Sequence, residues 1–291
     1  MERKIQGLLE IHLAVLLFGL SGLFGKFLCQ GPVVIVFGRC VFAALTLGLL
    51  FYREVRRFRS GSSLAVFLLL GGILALHWAT FFHAIQVSTV AVGLLTFSTF
   101  PLFVTFLEPW FFRERLRIFD IFTALLVLAG LLLVIPSLDF SHHLTRGAFW
   151  GTVSGLTFAI LSIVNRRYVR EYSPYTIAFF QNGFAALILA PFFFLEGATL
   201  SPKDLLLLVL LGVFCTAMAH GLFIKALRHI KAQLASVTTC LEPVYGIVFA
   251  LILLGEIPSA RTVLGGTIIL ATTAAASMKT RTREQSSPSP P

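Results

Sequence analysis

Ten long apolar stretches separated by short breaks leave this chain few ways to fold. They cover roughly residues 8–29, 33–52, 64–84, 88–111, 119–136, 147–169, 175–195, 204–226, 231–254 and 261–278. Each approaches the ~20 apolar residues that a helix needs to cross the hydrocarbon core of a bilayer. Hydrophobic residues are 57% of the 291 positions and charged residues 12%, against about 25% charge in soluble domains. A water-soluble globule of this size would lack polar surface, and a disordered chain would need far lower hydrophobicity. The expected fold class is therefore all-α, a polytopic membrane protein.

The breaks carry turn or charge signals: Gly31-Pro32, 53–59, 113–117, 136–143, Ser173-Pro174, Ser201-Pro202, 228–231 and Pro258-Ser259. The break around Gln86 to Ser88 is weaker and is taken as a turn because of the repeat described below. Arg3 and Lys4 resemble the start of a signal peptide, but the apolar run after them is too long and no small-x-small cleavage site stands out. Residues 280–291 read as a disordered cytoplasmic tail.

Lys and Arg decide the orientation. With the N-terminus inside, the cytoplasmic segments hold Arg3, Lys4, Arg53, Arg56, Arg57, Arg59, Arg113, Arg115, Arg117, Arg166, Arg167, Arg170, Lys225, Arg228, Lys231, Lys279, Arg281 and Arg283, which is eighteen. The outside segments hold Lys26, Arg146, Lys203 and Arg261, which is four, and Arg39 alone falls within a span. Such a split favours ten spans with both termini inside. The net charge of +10 is then a topology signal, and nucleic acid is not needed to explain it.

Sliding the chain on itself by 142 residues exposes a repeat. Pro32 meets Pro174, Phe42-Ala43-Ala44-Leu45 meets Phe184-Ala185-Ala186-Leu187, Glu54 meets Glu196, Phe81 meets Phe223, Thr96 meets Thr238, Pro101 meets Pro243 and Glu114 meets Glu256. Apolar matches are cheap in such a sequence; repeated Pro and Glu at one offset are not. Each copy holds five spans, an odd number, so the second copy lies upside down. The charges agree: the basic segment 53–59 corresponds to 195–201, which has no base. The expected organisation is 1–138 as the first five-helix repeat, 139–279 as the inverted second, and 280–291 as the tail. Inverted repeats are characteristic of secondary transporters, with the substrate site near the midplane where the halves meet. Duplication kept only for packing is the competing explanation.

Ionisable groups at membrane depth cost about 2.5–3.5 kcal/mol on insertion scales, so function is their default reading. Arg39 either binds or gates, or reaches outward to lipid headgroups. Its mates in the other copy are Gln181 and the adjacent Asn182, read either as site residues or as helix–helix glue. His77 and Trp78 sit near the middle of span 3, with mates around Ala219 and His220; the histidines either join a site or bond neighbouring helices, and Trp78 either lines a site or packs. Glu242, with Thr238 and Tyr245 on its helical face, is the costliest group and the one expected to face water, a proton or a cationic substrate group. Glu108 beside Arg113 reads as a surface ion pair, and Lys26 and His83 as wet positions near the outer interface. Pro101 and Pro243 should each kink a helix at equivalent points, which suits rocking about a hinge as well as static packing. Gly147, Gly151 and Gly155 put three glycines on one face of span 6, a signature of close helix packing.

Cys29, Cys40, Cys215 and Cys240 show no metal or disulfide spacing and read as free and buried. No P-loop, G-x-S-x-G or H-E-x-x-H occurs, so no catalytic residue, metal or cofactor is assigned. His142-His143 has no evident metal partners.

The ten spans, the five-plus-five duplication, and the segments Phe100-Pro101 to Arg113-Glu114 and Cys240-Leu241-Glu242-Pro243 to Leu254-Gly255-Glu256 together resemble the EamA-type branch of the drug/metabolite transporter superfamily. The resemblance covers about residues 8–278. The first copy carries Arg113-Glu114 where the second carries Gly255-Glu256, a departure that the cytoplasmic charge bias explains. The resemblance implies a secondary transporter of the inner or plasma membrane, members of which mostly export amino acids, other metabolites or drugs. It assigns no binding residue.

The expected function is efflux of amino acids or similar small polar metabolites by alternating access, with metabolite uptake or exchange as the second reading. A polytopic membrane enzyme or a scaffold is the alternative of another class; an enzyme would need clustered nucleophiles, carboxylates or metal ligands, and only scattered single groups are present. The candidate binding residues are Arg39, His77, Trp78, Gln181, Asn182, His220 and Glu242, with Pro101 and Pro243 as hinges. Expected partners are the substrate, the lipid bilayer and possible coupling protons, with His77, His220 and Glu242 as coupling candidates because imidazole titrates near neutral pH. The protein is expected as a monomer or homodimer.

Overall fold

The computed structural model describes residues 2–58, 63–112, 118–135, 139–230, 235, 238–239 and 241–284. Among the described residues every regular element is helical: α1 (Glu2–Phe27), α2 (Pro32–Leu50), α3 (Tyr52–Arg56), α4 (Ser63–Val87), α5 (Val90–Phe97), α6 (Phe100–Phe112), α7 (Ile118–Val134), α8 (His143–Tyr168), α9 (Pro174–Glu196), α10 (Pro202–Gly212), a π-turn (Val213–Met218), α11 (Ala219–Ala226), α12 (Glu242–Leu254) and α13 (Ala260–Glu284).

Local chemistry sets these limits. Pro opens α2, α9 and α10, where its fixed φ suits the first helical position and its missing N–H costs nothing. Ser201 and Asp204 cap α10 reciprocally. Gly197 and Gly255 end α9 and α12 at φ +58° and +67°, a left-handed stop that glycine adopts without strain. The weak break expected after Gln86 is a turn at Ser88 and Thr89, and Thr89 Oγ1 accepts from the Val92 N–H at 3.1 Å to start α5.

Among the described residues, seven helical stretches are long and apolar enough to cross a membrane: Ile5–Phe27, Pro32–Leu50, Leu64–Val87, Val90–Leu107, His143–Tyr168, Pro174–Glu196 and Pro202–Ala226. Ile121–Val134, Glu242–Leu254 and Ala260–Ala275 are apolar but shorter. The outward face is greasy: Leu49, Leu195 and Ile118 are 80%, 83% and 87% exposed. Large apolar side chains exposed to that degree suit lipid and not water.

Two expectations about continuity are corrected. Span 4 is not one kinked rod, since the helix stops at Phe97 and restarts at Phe100, with Pro101 in the new first turn. Pro243 holds the same place in α12, which starts at Glu242. A proline lacks the amide that would continue the ladder, so each sits where that amide has no partner anyway. The last helix runs to Glu284, so residues 280–284, expected as the start of the tail, are helical. Residues 285–291, and the side chains of Glu108, Arg113, Glu114 and Cys240, lie outside the described residues.

Helices from the two ends of the chain pack on one another. α2 lies against α9, α4 against α9 and α10 against α2, while α4 packs on α8 and α11 on α1. α7 lies against α13. The Glu54 carboxylate accepts from Ser173 Oγ at the start of α9, and the Glu196 carboxylate lies against Gly31 at the start of α2. Residues 54 and 196 therefore sit at opposite ends of the antiparallel α2–α9 pair. The glycine face of α8 seats tightly: a Cβ at Gly147 would strike Ser88, and one at Gly151 would strike Thr96.

Candidate functional site

Between the two halves of the chain lies a small cavity of about 20 Å³, room for little more than a water molecule. α4 supplies one wall through Leu74, His77, Trp78 and Phe81, spaced as a single helical face. α1 contributes Phe18 and Ser21, α2 Arg39, α5 Phe97, α8 Phe158, α11 His220 and α12 Glu242. Five of the seven expected binding residues meet here: Arg39, His77, Trp78, His220 and Glu242. All five are buried.

Arg39 is the pivot. Its guanidinium carbon stands 3.8 Å from the Trp78 ring centroid and 5.2 Å from that of Phe82. A desolvated cation over an aromatic face gains about 2 kcal/mol or more, which offsets part of the cost of burying the charge. Arg39 Nε–H donates to Thr216 Oγ1 at 3.0 Å and Nη2 to the Cys215 carbonyl at 3.3 Å. Nη1 has no partner among the described residues. Of the two earlier readings, the outward one is corrected: the side chain reaches inward and ties α2 to the π-turn.

The two histidines stand differently. His77 Nδ1 pairs with Ser154 Oγ at 2.8 Å and lies 3.1 Å from the Ser154 carbonyl, while Ser154 Oγ also reaches the His77 carbonyl at 3.0 Å. Phe158 and Phe97 pack on the His77 ring at 4.9 and 5.4 Å. His220 instead meets Trp78 edge-on at 6.0 Å, and its Nδ1 has no partner among the described residues. Trp78 and His220 stand 142 residues apart in the chain. Glu242 lies within electrostatic reach of Arg39 without taking Nη1.

Gln181 and Asn182 do not line the cavity. Both are buried in α9, where Gln181 Nε2 donates to Asn165 Oδ1 at 2.5 Å and Asn182 Nδ2 to the Ala178 carbonyl at 2.8 Å. Gln181 is the mate of Arg39, but its shorter side chain is taken by Asn165. Pro101 and Pro243 flank the cavity in sequence, one turn past Phe97 and next to Glu242. Lys26 is half-buried and donates to the Ser88 carbonyl at 2.7 Å, tying α1 to the α4–α5 turn. Cys40 and Cys215 are buried as expected, whereas Cys29 is exposed because it lies in the α1–α2 turn at the end of the bundle.

Sequence reasoning missed Thr216, Ser154, Asn165 and the aromatic lining of Phe18, Phe97 and Phe158. Asn165 was masked by the Arg166-Arg167 pair beside it. Thr216 and Ser154 look like ordinary small residues in apolar helices, and nothing local marks them.

Long apolar helices around a buried cavity, with opposite charges drawn from both halves of the chain, define a polytopic membrane protein with an internal polar site. The chain belongs to the EamA-like transporter family, whose model matches residues 5–135 and 145–278. It is a membrane transporter of small molecules. Relatives include an uncharacterized transporter, YxxF, of Bacillus subtilis (strain 168), 25% identical over 93% of this chain and 89% of the relative. An uncharacterized inner membrane transporter, YicL, of Salmonella typhimurium is 25% identical over 96% and 97%. The pseudopaline exporter CntI of Pseudomonas aeruginosa is 27% identical over 81% and 82%. Among solved structures, one crystal structure of a protein matches 97% of this chain and 98% of its own with a TM-score of 0.68 at 18% identity, a likeness of fold.

Proposed function

We propose that the protein is a secondary transporter of ten membrane-spanning helices, two inverted five-helix repeats with both termini in the cytoplasm, that exports amino acids or similar small polar metabolites across the inner membrane by alternating access. The convergence of Arg39, His77, Trp78, His220 and Glu242, from both halves of the chain, on one buried cavity carries this reading. A cation and a carboxylate that share a cavity without pairing suit a ligand bearing both charges. The aromatic walls suit its apolar part.

The repeat reading draws support from the exchange of contacts under the offset, Glu54 with Ser173 and Glu196 with Gly31. Helix breaks before Pro101 and Pro243 give the two halves equivalent points of flexure. The exporter direction leans on the named relative of Pseudomonas aeruginosa. Coupling to protons would fall to His77, His220 and Glu242.

The test is counterflow. Purified protein in liposomes preloaded with unlabelled amino acids is expected to accumulate a labelled amino-acid mixture from outside. Empty liposomes and Arg39→Gln protein should not. An imposed pH gradient should change the rate, and Glu242→Gln should abolish that change. If no amino acid exchanges, the substrate reading is lost; if exchange ignores the gradient and survives Glu242→Gln in full, the coupling idea is lost.

A further inference from the structure

Arg39 meets the second half of the chain at a turn that exists because of one surplus residue. Ten positions separate Gly71 from Phe81, and eleven separate Gly212 from Phe223. The first glycine of each pair marks an equivalent crossing. A Cβ at Gly71 would press on Phe184, the Ala185 amide and the Gln181 carbonyl, and one at Gly212 on Phe42, the Ala43 amide and the Arg39 carbonyl. Those two sets of partners stand 142 residues apart, residue for residue. The second copy therefore fits one more residue into the same path, and Val213–Met218 absorbs it as a π-turn. Such single-turn bulges recur at functional sites.

The bulge shapes what Arg39 touches. Thr216 Oγ1 donates to the Leu211 carbonyl five residues back, at 2.8 Å, and accepts from Arg39 Nε–H. The Cys215 carbonyl on the same turn takes Nη2. A guanidinium has five N–H donors in a rigid fork. Here one edge is spent on the π-turn and one face on Trp78, so the group cannot swing. Nη1 is left enclosed and, among the described residues, without a partner, on a residue that lines the cavity. A buried charged donor is seldom left idle, and Glu242, the carboxylate within electrostatic reach, does not take it. His220 Nδ1, across the Trp78 ring, has no partner among the described residues either.

We infer that Nη1 of Arg39 anchors the carboxylate of the transported molecule, and that Thr216, presented by the π-turn, is the positioning residue that fixes the anchor. This rests on the transporter reading above. A planar fork suits a carboxylate better than a point charge does. The ligand class is then a small carboxylic acid with its acid group toward Arg39.

The experiment is the same counterflow assay, competed with an excess of unlabelled amino acids or of their primary amides, which keep the ammonium group and lack the carboxylate. Wild-type exchange should be blocked by the acids at concentrations at least tenfold below those at which the amides act. Thr216→Val should raise the apparent KM about five- to tenfold with little change in maximal rate, and should narrow the gap between acids and amides. Thr216→Ser, which keeps the hydroxyl, should restore both. Equal competition by acids and amides in an exchanging wild type overturns the anchor while leaving the transporter reading intact. A Thr216→Val protein with wild-type KM and selectivity overturns the positioning role. No exchange by wild type fells the substrate reading, and this inference with it.

Discussion

The guanidinium carbon of Arg39 sits over the Trp78 ring at 3.8 Å, and this contact joins α2 to α4 in the wall of the cavity. Both groups are desolvated, where such a pair is worth about 2 kcal/mol. Trp78→Leu should lower the stability of detergent-purified protein by about that amount, and Trp78→Phe by less, because the smaller ring keeps a weaker face. Thermal unfolding of the three proteins in one detergent checks the order.

Residues 54 and 196 occupy opposite ends of the α2–α9 pair. In a background lacking the native cysteines, of which Cys29 is exposed, Glu54→Cys should react with an impermeant maleimide only from the cytoplasmic side. Glu196→Cys should react only from the outside. Labelling of intact and of opened cells distinguishes the two, and labelling of both positions from one side contradicts the inverted arrangement.

Glu256 reaches back from the end of α12 to accept the Val90 N–H at 2.9 Å. It thereby places a carboxylate at the positive end of α5. A hydrogen bond to a charged group contributes about 1.5–3 kcal/mol, so Glu256→Ala should depress the melting temperature by several degrees. Glu256→Gln, which keeps an acceptor and loses the charge, should fall between.

Gly151 leaves no room for a side chain against Thr96 and the Gly93 carbonyl. Gly151→Val should force α8 away from α5 and cost about 3 kcal/mol or more, at the upper end of overpacking effects. The expected readout is aggregated or degraded protein on size exclusion, whereas Gly183→Ala, at a position with nothing within 4 Å, should elute normally.

Pro101 and Pro243 sit in first turns, where an amide has no helical partner. Replacement by Ala should therefore change stability by less than about 1 kcal/mol. If these breaks are the points of flexure, each Ala variant should bind substrate like wild type and exchange it several-fold more slowly. Paired binding and counterflow measurements separate the two effects.

The helical character, the breaks at Gly31-Pro32, Ser173-Pro174 and Ser201-Pro202, and the tight α8 face were legible because each follows from local chemistry. Proline placement, glycine spacing and run length need no partner to be read. Arg39, His77, Trp78, His220 and Glu242 were legible as candidates because charge and ring nitrogen are conspicuous in apolar helices. Their convergence was not, since it depends on which helix faces which. Gln181 shows the limit: the offset marks it as the mate of Arg39, yet Asn165 takes its side chain. The π-turn was hidden because one surplus residue does not disturb an apolar pattern.

The two halves are thus close relatives and not copies. Where one presents Trp78, the other presents His220, and only the second carries the extra residue in its path. A carrier with interchangeable halves would find its two orientations isoenergetic apart from the asymmetry of the bilayer. On the alternating-access reading proposed above, the differences at Trp78 and His220 and the surplus residue break that degeneracy within the polypeptide itself, and the empty carrier is expected to favour one orientation before any gradient acts on it.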